Sequence, residues 1–112
     1  MITGGDILEH LHYRFAGGYS CGAVTPRVVG VVASGNLEVL IEPATLDGAC
    51  AFDIDTPVRG FARVWQAVIS DFFARHRLGD VRISINDNGA TPATVALRLD
   101  QAVEEYRGVS QR

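Results

Sequence analysis

Ser34-Gly35-Asn36 interrupts two strand-like runs, residues 27–33 and 37–42. Glycine and asparagine both accept positive φ, so the trio reads as a tight hairpin turn. Such a turn lifts a small hydroxyl to where a large partner reaches it, which is the geometry of a covalent attachment point. Inert hairpins share this composition, and on spacing alone that plainer reading is the commoner. Ser34 has no Gly-x-Ser-x-Gly elbow around it, and nothing specific supports a Ser/His/Asp triad. His10 and His12 stand two apart on a strand and therefore share a face, but no third metal ligand accompanies them. Asp53, Asp55 and Asp87 sit beside turns or strand ends, where aspartate usually caps or solvates; without a nucleophile–base pair they carry no acid–base chemistry. His76 suits the negative end of a helix dipole. Gly17-Gly18 matches no phosphate loop, and Trp65, within an apolar helical stripe, reads as core.

The elements that position these residues follow from periodicity. Leu11, Tyr13 and Phe15 alternate with polar neighbours as a half-buried strand. Residues 16–26, with three glycines and a proline, form a loop. After the hairpin, Pro43 ends one strand and residues 49–55 make another. Val58, Phe61, Val64, Trp65, Val68, Ile69, Phe72 and Phe73 recur at helical spacing. This predicts a helix over 57–76, with Thr56-Pro57 as cap and first turn and Gly79 as its stop. Val81, Ile83 and Ile85 predict a strand, and Asp87-Asn88-Gly89 a turn. Thr91-Pro92 opens a second helix, with Val95, Leu99, Ala102, Val103 and Tyr106 inward. The expectation is an α+β fold in the order β-β-β-β-α-β-α: a mostly antiparallel sheet of about five strands with two helices packed on one face.

At 112 residues, 47% hydrophobic and 21% charged, the chain is long and apolar enough for one folded domain. It contains no lysine, its ten arginines are scattered, and its net charge is −3. That excludes the clustered basic footprint of a nucleic-acid surface and a polybasic membrane anchor. No run is long enough for a membrane span, and no signal pattern opens the chain, so a cytoplasmic location is expected. Cys21 and Cys50 then read as free thiols, Cys50 as a small core residue.

Three segments carry a resemblance: residues 29–43 around Ser34, the tryptophan-bearing helix over 61–73, and residues 81–102 with their Asn-Asp-x-Gly-Ala turn, Asn86 to Ala90. Together, in this order, they resemble the acyl carrier (delta) subunit family of biotin-independent malonate decarboxylase and, more distantly, the citrate lyase acyl carrier (gamma) subunit. The resemblance covers residues 10–107, making these the acyl carrier domain, with 1–9 a flexible N-terminal arm and 108–112 a C-terminal tail. It implies that Ser34, flanked by Gly35 and Asn36, is the covalent attachment point of a 2'-(5''-phosphoribosyl)-3'-dephospho-coenzyme A group. A phosphoribosyl-dephospho-coenzyme A transferase would install it. The thiol would then carry acetyl and malonyl between the transferase and decarboxylase subunits of the complex, the chain itself being a non-catalytic carrier. The family usually places an acid two residues after the serine; here that residue is Asn36, and the nearest carboxylate is Glu38. The alternatives are the citrate lyase counterpart and an unmodified protein-interaction domain.

Overall fold

The computed structural model describes residues 8–108. Its elements are β1 (Glu9–Phe15), β2 (Arg27–Gly30), β3 (Asn36–Pro43), β4 (Cys50–Thr56), α1 (Ala62–His76), β5 (Val81–Asn88) and α2 (Pro92–Arg107). The expected arm therefore lies outside the described residues up to position 7, and Glu9 already belongs to β1. Period-two alternation builds the sheet. Leu37, Val39 and Ile41 of β3, Cys50, Phe52 and Ile54 of β4, and Val81, Ile83 and Ile85 of β5 are all buried on one face. Both helices cover that face, with Trp65, Ile69, Phe72 and Phe73 from α1 and Val95, Leu99, Ala102, Val103 and Tyr106 from α2 joining the same core. The strand order is β1-β4-β5-β3-β2. Three ladders are antiparallel, and β4 pairs with β5 in parallel because α1 carries the chain back across the sheet. This is the expected α+β architecture.

The hairpin is looser than expected. Strand pairing from Arg27 stops at Gly30 rather than Ala33, and a five-residue connection, 31–35, leads to Asn36. Gly30 has φ +88, and a Cβ there would lie 2.1 Å from the Leu37 carbonyl oxygen. The backbones cross too closely for the ladder to continue. Asn36 and Leu37 pair with Asn88 and Asp87 of β5 instead.

Helix α1 begins at Ala62, with Phe61 as a cap lacking any side-chain hydrogen bond, and not at Pro57. Thr56 is the last residue of β4; its hydroxyl donates to Asp87 at 2.8 Å and accepts from the Val58 amide. Gly60, at φ +88, cannot begin the helix. Val58, Phe61 and Val64 accordingly remain 39, 47 and 40% exposed instead of joining the core. At the other end Arg77, not Gly79, takes the left-handed stop at φ 49, and its amide bonds the Phe73 carbonyl. Gly79 serves close packing: a Cβ there would lie 2.5 Å from the Gly48 carbonyl oxygen. The second cap is as expected, Thr91 accepting from the Thr94 amide. Strand β5 runs on through Asn88, so only Gly89 of the expected turn lies outside it.

Candidate functional site

Ser34 is exposed, at the crest of a short turn. The Asn36 amide donates to the Ala33 carbonyl at 2.9 Å, closing the turn around Ser34 and Gly35, and Gly35 supplies the positive φ of 74 that such a turn requires at its third position. The Gly35 amide reaches across to the Asn88 carbonyl at 2.8 Å, fastening the turn to β5. The Asn36 side-chain oxygen accepts from the Leu37 amide at 2.8 Å and from Arg98 Nε at 3.1 Å. Arg98 in turn donates to Gln101 within α2 at 3.1 Å. The turn is thus tied to β5, to β3 and to α2, while a Cβ built on Gly35 meets nothing within 4 Å. The support is stiff and the space around the hydroxyl is open.

The other candidate residues lie elsewhere. His10 bonds Asp55, and His12 bonds Asp53 at 2.5 Å, both as cross-strand pairs of β1 and β4 on the sheet face away from the helices. Arg82 also approaches Asp53, at 3.5 Å. These pairs stand on the far side of β5 from the Ser34 turn, so no histidine–aspartate pair reaches the serine. Glu38 accepts from Asn86 on that same outer face. Asp87 is buried, its carboxyl taking the Thr56 hydroxyl and the Gly89 and Ala90 amides, which fixes the connection into α2. His76 bonds Asp100 of α2 at 3.0 Å beside Arg75, joining the two helices as well as closing α1. Burial pushes the Cys50 thiol up to about 12, so it is inert core, whereas Cys21 is exposed. Among the described residues no group of three or more His, Cys, Asp or Glu could hold a metal, and no helix is long and apolar enough to cross a membrane.

Two features escaped sequence reasoning. Arg98 is 62 residues from Asn36, and only the docking of α2 brings them together. A cavity of about 320 Å3 opens between α1 and the start of α2, lined by Val58, Phe61, Val64 and Trp65 among others. The exposed apolar residues at the opening of α1 are its only trace in the sequence.

Fold and turn together define a class: a small α+β module that presents one hydroxyl on a stiff, open turn. Comparison with known proteins narrows the class. The sequence profile of the malonate decarboxylase delta subunit (MdcD) matches residues 24–106. A malonate decarboxylase acyl carrier protein of Stenotrophomonas maltophilia (strain K279a) is 63% identical over 101 residues, covering 87% of this chain and 92% of the relative. One from Burkholderia cepacia is 55% identical over 98 residues, covering 88% and 90%. A chain from the crystal structure of a Pseudomonas malonate decarboxylase hetero-tetramer in complex with malonate superposes with a TM-score of 0.79 at 37% identity, covering 88% of this chain and 98% of that one. The chain belongs to the malonate decarboxylase delta subunit family, as the resemblance implied.

Proposed function

We propose that this protein is the acyl carrier subunit of a malonate decarboxylase, and that Ser34 bears its prosthetic group as the phosphoribosyl-dephospho-coenzyme A ester. The observation that carries the reading is the Ser34 turn: one exposed hydroxyl on a thrice-anchored loop, with open space around it, in a chain whose relatives are named acyl carriers. When bound, the group supplies a thiol that holds an acyl unit as a thioester. The chain's own residues do the rest. Gly35 and Asn36 shape the turn so that Ser34 Oγ stands clear for the modifying enzyme. The Gly35–Asn88 and Asn36–Arg98 bonds hold the attachment point still, so the arm alone moves between partner sites. That tether raises the local concentration of the acyl end at each partner. The partners are the transferase and decarboxylase subunits and the enzyme that installs the group; membership of an assembly is supported by the similar Pseudomonas chain, which comes from a malonate decarboxylase hetero-tetramer.

The test is reconstitution. The chain is treated with the installing transferase and its donor, loaded with acetyl, and combined with the partner subunits and malonate. Carbon dioxide release should require the treated chain and stop when the untreated chain replaces it. Equal release with either would support instead an unmodified interaction domain.

A further inference from the structure

The cavity near the Ser34 turn is mostly apolar. Val58, Phe61, Val64, Trp65, Ala90 and Val95 give it an apolar wall, and among the described residues Asp87 is the one acidic group on its surface and no arginine or histidine lines it. Phe61 and Val64 leave much of their apolar surface at the mouth, which is costly unless something covers it. Cavity and turn meet at β5. The Gly35 amide bonds the Asn88 carbonyl, and both chain neighbours of Asn88, Asp87 and Gly89, line the cavity. With residue steps of ~3.8 Å and strands ~4.8 Å apart, Ser34 lies within about 15 Å of Gly89. Both ends of that span are uncrowded: a Cβ at Gly35 or at Gly89 meets nothing within 4 Å.

We propose that this cavity is a resting site for the acyl end of the arm on Ser34, taking an acetyl thioester and rejecting a malonyl one. The inference rests on the carrier reading above. Loss of carbon dioxide from a malonyl group leaves acetyl, so a carrier in this complex meets both, and they differ by one carboxylate. The acetyl methyl gains from the apolar wall roughly what one buried CH2 gains over water, about fourfold. The malonyl carboxylate finds no cation there and faces the Asp87 carboxyl. Around the N-terminal end of α2, Thr91 accepts the Thr94 amide and Asp87 takes the Gly89 and Ala90 amides just ahead of the helix. Tethering holds the acyl end beside the mouth, so a weak intrinsic preference suffices. The acetyl form folds back onto the carrier, while the malonyl form stays extended toward the decarboxylase.

The test uses the full-length chain modified by the installing transferase, isotope-labelled, in free-thiol, acetyl and malonyl forms, with intact mass reporting the load on each. Acetylation should shift the amide resonances of Val58, Phe61, Val64 and Ala90 and change the emission of Trp65, the chain's single tryptophan. The malonyl form should match the free thiol. Val64→Glu, at an exposed helix position, should abolish the acetyl shifts and speed hydroxylamine cleavage of the acetyl thioester about fourfold. A protein that gains no mass overturns both this inference and the carrier reading. A protein that gains mass but shows no acetyl shift at the cavity, or an equal shift with malonyl, overturns this inference alone.

Discussion

Asn36 stands two residues beyond the attachment serine, where the family resemblance implies an acid, and the structure explains why an amide serves. Its Oδ1 accepts from the Leu37 amide and from Arg98, and a carboxylate oxygen would accept both. Asn36→Asp keeps this geometry and adds an ion pair with a half-buried arginine, worth up to about 1 kcal/mol. The variant should melt no lower than the parent and accept the prosthetic group at least as fast. A large fall in the initial rate of transfer, with the circular dichroism unchanged, would mean that the Asn36 NH2 makes a donor contact to the transferase that a carboxylate cannot. Gly30 is the second decisive residue. A side chain there meets the Leu37 carbonyl at a φ of +88, so Gly30→Ala should cost about 2 kcal/mol or more in denaturant unfolding. The turn itself was legible because Ser-Gly-Asn chemistry is local. Arg98 was not, because nothing in its neighbourhood along the chain distinguishes it from the other surface arginines until α2 docks.

The elements show where periodicity stops being informative. The stripe from Val58 to Phe73 looks like one helix because its apolar spacing does not break at Gly60. The backbone does break there, and Thr56 is committed to Asp87, so the helix opens one turn later. The facing of β1, β3 and β5 was legible, since alternation alone assigns a residue to the helix-covered face or the outer one. The end of β2 was not, because the close crossing at Gly30 is a long-range constraint. Trp65 belongs to both accounts. It is 6% exposed, part of the core, and a wall of the cavity. Trp65→Ala should therefore destabilise by about 3 kcal/mol, the low end for a large aromatic, because one side of the residue already borders open space. Thermal or denaturant melts measure this; a variant as stable as the parent would place Trp65 outside the packing that holds α1 down.

Across the whole molecule, parallel pairing of β4 with β5 gathers the ends of β4 and β5, the beginning of β3 and the Ser34 turn at one edge, while ion pairs hold the opposite end of the helices together. Two carboxyls there make the fold sensitive to acid. Amides of Gly48 and Leu46 lower the pKa of Asp80 below its ordinary 3.8. Burial raises that of Asp100, but bonds from His76 and Arg75 outweigh it and leave it lowered. A depressed folded pKa contributes stability that is complete above the unfolded value and lost as pH falls through the folded one. The melting temperature should thus hold down to about pH 5 and fall toward about pH 2, and Asp80→Asn should fall less over that interval. The central claim, that Ser34 alone carries the acyl arm, is tested most directly by mapping the modified chain. Trypsin releases residues 28–59 as one peptide in which Ser34 is the single serine. After treatment with the installing transferase, that peptide should gain the mass of one prosthetic group, with fragmentation placing it on Ser34. The Ser34→Ala protein, as stable as the parent to within about 0.5 kcal/mol, should gain nothing. A mass gain on any other peptide, or on the alanine variant, would contradict the account.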